Sequence, residues 1–512
     1  MSDPRRWWTL AVLCLSLLLI SLDNTILNVA VPTIGRDVHA SASQLQWIVD
    51  AYMLVFAGLL LTAGSLGDRF GRKRALSLGI AVFAAGSALS AMASSASMLI
   101  ATRALMGVGG AFIMPSTLSI LTAVFPAHER GKAIGIWAGV SGIGIAIGPV
   151  TGGWLLEHHG WGSVFLVNLP LAALALAAGA KLVPDSRDPA APRLDLRGFG
   201  LSTAGLTALV WAIIEAPDRG WTSGTILAAL AAAAVVLAAF VAWELRAPEP
   251  MLDVRLFRNP RFSAASLSIA LAFFALFGMI FFLTQYLQAV LGYTALEAGV
   301  RTLPVAAGLV IGGPLSAALA ARLGTKLVVM NGLALVAGGL WLLLATGIDT
   351  GYGIVGASEI VLGLGMGLAM APATDAIMGS LPLARASVGS AVNDTTRTTG
   401  GALGVAVLGS ILSSGYRGHM DAAVTGLPGA AAGAARDSLT GALAVAGRIG
   451  GPAGAKLTHA AQDAFMSGMH SAVLVAGGIA LAGALVALAF LPAREAAAAQ
   501  LPPEVAPEPL PA

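Results

Sequence analysis

Six ionisable residues sit inside long apolar runs of this 512-residue chain: Asp23, Asp50, Arg103, Glu359, Asp394 and Arg397. An isolated charge in the middle of a bilayer costs about 2.5–3.5 kcal/mol or more, so such groups pair, take up a proton or line a polar path. The chemistry this opens is proton exchange. Desolvation favours the neutral form of a carboxyl and a nearby arginine favours the charged form, so a carboxyl balanced between the two can load and unload a proton near neutral pH. Each residue also has a plainer reading. Asp23 and Arg103 can be static ion-pair partners, Asp50 a solvated helix end, and Glu359 a residue facing an outer vestibule. Asp394 and Arg397, three apart on one helical face, can pair merely to hide their charges.

These groups need elements to hold them, and the composition says which. With 57% hydrophobic and 11% charged residues, the chain is far from the roughly 25% charged balance of soluble domains. Its apolar runs are long enough to cross about 30 Å of hydrocarbon as helices. Fourteen are expected, at roughly 9–31, 45–66, 75–95, 98–124, 132–156, 162–183, 199–214, 222–245, 263–290, 298–321, 327–346, 353–378, 386–415 and 469–491. The fold class is all-α integral membrane. At a rise of 1.5 Å per residue, Asp23 lies roughly 21 Å from the inner face, and Asp50, Arg103 and Glu359 roughly 8–9 Å below the outer one. Asp394 lies roughly 12 Å from the inner face.

A net charge of +3 does not mean nucleic acid, because the basic residues are sorted by side. With a cytoplasmic N-terminus, Arg69, Arg72, Lys73, Arg74, Arg130, Arg255, Arg258 and most others lie inside, whereas Arg36, Arg219 and Arg301 lie in short outer segments. That bias puts both termini in the cytoplasm. Cys14 is the single cysteine, so no internal disulfide or cysteine cluster can form. The first run is too long for a cleaved leader and carries Asp23. The arginine-rich, Ala- and Gly-rich composition fits a bacterial source. No P-loop is present, Gly363-x-Gly365-x-Gly367 follows no strand, and neither Gly-x-Ser-x-Gly nor His-Glu-x-x-His occurs, which leaves ATP-driven and hydrolytic machinery without a motif. Glu157-His158-His159 lacks a third metal ligand at useful spacing. Asp375, close to a helix end, reads as structural.

The chain also repeats at an offset of 256 residues. Arg103, Gly107, Gly109, Met114, Gly144 and Gly148 align with Glu359, Gly363, Gly365, Met370, Gly400 and Gly404. Parallel repeats of this kind are one of the two usual plans of secondary transporters.

Several ordered motifs together resemble the major facilitator superfamily, and within it the fourteen-spanner drug:proton antiporters. These are Leu22 to Pro32; Gln46-Trp-Ile-Val-Asp50-Ala-Tyr52; Gly64 to Arg74; Arg103 with Gly107 and Gly109; Gly144-x3-Gly148-Pro149-x2-Gly152-Gly153; Tyr286-x-Gln288; and Leu296 to Pro304. The repeat and the resemblance imply two six-helix bundles, 1–183 and 263–491, with two helices inserted in 184–262; the segment 416–468 is expected as an outer loop able to form short amphipathic helices, and the proline-rich 492–512 as a disordered cytoplasmic tail. The resemblance implies proton-coupling or substrate roles for Asp23, Asp50, Arg103, Glu359, Asp394 and Arg397. Gly67, Asp68, Arg69, Gly71 and Arg72 would form a conformational latch between bundles, where the residues alone require only a topology anchor. Gly144, Gly148, Pro149, Gly152 and Gly153 would seal one bundle to the other; packing alone also explains glycines at i, i+4 and i+8. Phe273, Phe274, Phe277, Phe281 and Phe282 read first as lipid-facing and second as a substrate wall. The expected activity is proton-driven export of hydrophobic or cationic drugs or antibiotics across the cytoplasmic membrane by a monomer without cofactor. Export of a native metabolite or lipid is the alternative, and a membrane sensor or enzyme a distant one.

Overall fold

Membrane helices form because every backbone polar group must be satisfied within its own segment. The computed structural model describes residues 6–187, 195–381 and 386–491; the expected tail lies outside them. Among these residues fourteen long helices follow in chain order: α1 (Arg6–Asp37), α2 (Ala42–Phe70), α3 (Arg72–Ala91), α4 (Ala96–Val124), α5 (Ala127–His159), α6 (Asn168–Leu182), α7 (Leu196–Arg219), α8 (Gly224–Glu244), α9 (Pro260–Gln285), α10 (Leu303–Leu323), α11 (Thr325–Leu342), α12 (Tyr352–Met378), α13 (Ala386–Ala423) and α14 (Gly451–Phe490). Thirteen described helical segments are long and apolar enough to cross a membrane, and the 33-residue α5 fills the remaining expected place. Polar side chains start several of them. Ser41 and Gln44 make a capping box on α2, and Ser95 and Ser223 cap α4 and α8. Gly71, at φ 117°, provides the sharp turn between α2 and α3.

Two hydrophobic clusters form. One gathers α1 to α7, and the other gathers α9 to α14. The 256-residue repeat is visible as matched backbone contacts. Gly107 faces the Tyr52 carbonyl of α2 and Gly109 faces Gly79 and Phe83 of α3; at the mates, Gly363 faces Val305 of α10 and Gly365 faces Gly332 and Val336 of α11. α4 and α12 are thus each wedged between two helices at glycine distance. A β-carbon on Gly109 would lie 2.5 Å from the Phe83 nitrogen and 2.7 Å from the Gly79 oxygen. Gly109→Val is therefore expected to destabilise the protein by about 1–3 kcal/mol through overpacking. In a thermal melt of detergent-solubilised protein, Gly139→Ala is the control that should leave the midpoint unchanged or raised, because nothing lies within 4 Å of that site.

The inserted pair flanks this core. α7 packs on α2 and α13, and α8 packs on α7 with most of its surface exposed.

The structure sharpens one expectation and overturns another. Residues 416–468 are mostly helix: α13 continues to Ala423, short helices run Gly429–Asp437 and Leu439–Ile449, and α14 begins at Gly451. Hydropathy marks what can cross lipid, but the alanines here have high helix propensity and carry the helices further. Arg417 of α13 ties this cap down through Asp437 at 2.9 Å and Asp218 of α7 at 2.6 Å. The overturned expectation concerns the aromatic run of α9. Phe273, Phe274, Phe281 and Phe282 are buried, and Phe277 packs against both clusters. Gly278 of α9 meets Gly404 and Leu408 of α13, which covers this face. Lipid and protein core are equally apolar, so composition could not separate the two settings.

Candidate functional site

Asp23 lies mid-way along α1 and Arg103 near the start of α4, and the two side chains meet. Arg103 Nη1 donates to Asp23 Oδ2 at 2.6 Å, with both side chains at most 2% exposed. The guanidinium also donates from Nε to the Ile48 carbonyl of α2 at 3.2 Å and lies 4.6 Å from the centroid of the Tyr52 ring. The other carboxylate oxygen of Asp23 accepts from Asn168 Nδ2 of α6 at 2.9 Å. Asn168 in turn donates to Ser87 Oγ of α3 at 3.1 Å, whose hydroxyl donates to the Phe165 carbonyl at 2.7 Å. Two helices, α4 and α6, therefore donate to one carboxylate of α1, with α2 and α3 one contact further out. Burying such a pair returns little stability unless further hydrogen bonds support both members; Asn168 supplies one to the carboxylate and the Ile48 carbonyl accepts one from the guanidinium.

Asp50 lies one residue beyond Val49 from that carbonyl on α2, and it is fully buried. Neither of its carboxylate oxygens has a described hydrogen-bond partner. The solvated helix-end reading is thereby excluded. Asp50 is one turn along from Gln46, which lies against Gly409 of α13, so by helical period it belongs to the stripe that α13 covers.

Glu359 occupies in α12 the place that Arg103 occupies in α4, and it too is fully buried rather than facing a vestibule. Its Oε2 lies 3.3 Å from the Tyr352 hydroxyl, and Oε1 has no described partner. Asp394 and Arg397 approach to 3.7 Å along α13 and are partly exposed, at 17% and 35%. Arg397 also lies over the Phe273 ring at 4.7 Å. The structure thus joins Asp23 to Arg103 and Asp394 to Arg397, and leaves Asp50 and Glu359 without a charged partner among described contacts.

The segment 67–74 is held locally. Arg72 Nε donates to Asp68 Oδ1 at 2.6 Å one turn away, Arg72 N to the Ser186 carbonyl at 2.9 Å, and Lys73 Nζ to the Ala180 carbonyl at 2.9 Å. Arg69 lies beside its neighbour Phe70, and Gly67 backs onto Ala75 and Ser116. The described contacts of this segment stay within the first 187 residues.

The glycine motif of α5 divides its work. Gly144, Gly148 and Gly152 face Ser21, Thr25 and Ile26 of α1, so they pack α5 within its own bundle instead of sealing the two halves. Thr25 Oγ1 also donates to the Gly144 carbonyl at 3.2 Å. The seal falls to the next residue. Gly153 meets Ala295 and Leu296, and Pro149 meets Gly299, all on the short helix Ala295–Arg301 that precedes α10. Glu157 Oε1 accepts from the Leu296 backbone N–H at 3.1 Å, which gives that acid a role at the seal. This seal lies on the side of the molecule opposite the N-terminus.

Asn168 and Tyr352 were not singled out by sequence. A lone amide in an apolar run signals Asn168; Tyr352, the first residue of its helix, gives no comparable signal.

A family model described as the Major Facilitator Superfamily matches residues 13–405. The multidrug efflux pump LfrA of Mycolicibacterium smegmatis is 41% identical over 95% of this chain and 96% of its own. The tetracenomycin C resistance and export protein of Streptomyces glaucescens is 37% identical, covering 94% and 91%. The methyl viologen resistance protein SmvA of Salmonella typhimurium is 34% identical, covering 93% and 96%. Among solved structures, a bacterial homologue of the human lysosomal transporter Spinster, in an inward-facing and occupied conformation, superposes with a TM-score of 0.67 at 20% identity over 96% of this chain and 98% of the other.

Proposed function

The chain belongs to the major facilitator superfamily, and from that membership we propose that it exports hydrophobic or cationic drugs across the bacterial cytoplasmic membrane in exchange for protons. The observation that carries the proton part is the buried Asp23–Arg103 pair. It holds a titratable charge where membranes tolerate one only for use. Relatives named for multidrug efflux, tetracenomycin C resistance and export, and methyl viologen resistance support the substrate class. Both termini lie in the cytoplasm, so the seal between α5 and the helix Ala295–Arg301 faces outward. Asp50 and Glu359 are further proton sites, and Asp394 with Arg397 and Phe273 lines the substrate path. The segment 67–72 latches the bundles when the molecule opens outward. One chain suffices, and no cofactor takes part.

Protons in exchange for a monovalent cation test the number of carboxyls at work. One proton per cation moves no net charge. A second proton adds the membrane potential, worth about 2.3 kcal/mol per charge at 100 mV. With several separate carboxyls, export of a monovalent cationic dye is expected to respond to an imposed potential without any pH difference. Reconstituted vesicles with a valinomycin potential and a fluorescent dye read this directly. Transport indifferent to potential would leave one carboxyl as sole carrier, and transport persisting with all ion gradients collapsed on addition of ATP would overturn the antiport reading.

A further inference from the structure

Glu359 is enclosed on α12, yet a line of polar groups leads from it to the surface. Tyr352 lies one face-length away on the same helix, with its hydroxyl 3.3 Å from Glu359 Oε2. The same hydroxyl donates to the Arg301 backbone carbonyl at 2.6 Å. Arg301 is the last residue of the short helix Ala295–Arg301. Its guanidinium lies 3.9 Å from the Tyr293 ring centroid and 5.6 Å from that of Tyr352. Glu297, one turn back, approaches it to 4.0 Å and is about half exposed. The ionisable groups described around Glu359 are therefore Tyr352, Tyr293, Arg301 and, at the rim, Glu297.

We infer that the Tyr352 hydroxyl is the gate through which Glu359 exchanges its proton with the outer side, and that the seal helix Ala295–Arg301 sets that gate. This rests on the antiport reading and adds to it a positioning residue and a link between seal and proton. A tyrosine hydroxyl has one proton to donate, and here two acceptors compete for it. While the seal helix is docked on Pro149 and Gly153, the Arg301 carbonyl holds that proton at the shorter distance. When the helix swings away with its Leu296, Gly299 and Arg301, the carbonyl leaves. The hydroxyl oxygen is then free to accept from a protonated Glu359 while its own proton faces the water that enters where the carbonyl stood. Exchange proceeds as the Glu359 O–H bond breaks while a new O–H bond forms on Tyr352, whose original proton passes to outside water; loading is the reverse. A closed seal therefore locks the protonation state of Glu359, and an open one releases it.

The test follows the carboxyl itself. In reconstituted full-length protein, difference infrared spectra between wild type and Glu359→Gln identify the protonated-carboxyl band of Glu359, and an external pH step is then applied. Tyr352→Phe keeps the ring and removes the hydroxyl. It is expected to slow the response of that band about a hundredfold, the low end of what a positioned proton-transfer group contributes, in protein that still folds. In a Cys14→Ser background, Glu157→Cys and Leu296→Cys bridged by a short bis-methanethiosulfonate reagent should stop the response until the bridge is reduced. The bridge decides the matter if Tyr352→Phe does not fold. A wild-type response rate in folded Tyr352→Phe, an unaffected response in the bridged protein, or no titrating band lost in Glu359→Gln overturns the inference. Failure of the antiport reading looks different: efflux independent of a proton gradient in the wild type, whatever the band does.

Discussion

Asp23→Asn is expected to insert with a lowered melting midpoint, because Arg103 is left buried without its counter-charge, and to lose export driven by a proton gradient. An asparagine cannot carry the proton, and its amide cannot satisfy both neighbours. Asn168 and Arg103 both present donors to residue 23, whereas an amide offers one acceptor oxygen and an NH2 group. One donor would face another donor. Everted vesicles loaded with a fluorescent drug and energised by a pH gradient measure the loss; wild-type export rates would make Asp23 structural. The partner is less forgiving. Removing one member of a buried pair costs about 3–5 kcal/mol, so Arg103→Leu should lower the melting midpoint markedly. Arg103→Lys should retain much of that stability but not the coupling, because lysine lacks the planar fork that serves Asp23, Ile48 and the Tyr52 face at once.

The second large effect is expected at the seal. Gly299 lies against the Pro149 carbonyl with no room for a side chain, and on the proposed antiport cycle this contact is lost when the seal parts. Overpacking costs about 1–3 kcal/mol, and about 1.4 kcal/mol is a tenfold change in an equilibrium. Gly299→Leu should therefore raise the outward-open population about ten- to a hundredfold and cut turnover accordingly. Labelling of Leu296→Cys, in a Cys14→Ser background, by an impermeant thiol reagent added outside reports this population, because residue 296 meets Gly153 across the seal. Unchanged labelling would mean that Gly299 does not close the molecule.

Much of this was legible in the sequence, for a physical reason. Hydrocarbon punishes charge and exposed backbone so heavily that Asp23, Arg103 and the apolar runs announce themselves, and the glycine repeat marks where helices touch. What was illegible is which neighbour each residue meets. Gly144, Gly148 and Gly152 read equally well as an inter-bundle seal and as a pad for α1, and only the three-dimensional course of α5 separates them. The phenylalanines of α9 are as apolar against α13 as they would be against lipid. Tyr352 and Asn168 acquire meaning only from partners 51 and 145 residues away in sequence.

The length of the last helix has a mechanical consequence. At 1.5 Å per residue, the 40 residues of α14 make a rod of about 60 Å, twice the roughly 30 Å thickness of hydrocarbon. α13 is nearly as long, and the two rods carry the short helices between them at one end. A rigid tilt of about 10° pivoting at the far end sweeps such a tip sideways by about 10 Å. A pair of this length would therefore turn a small rocking of the bundle into a displacement the size of a drug molecule at the end that carries the short helices.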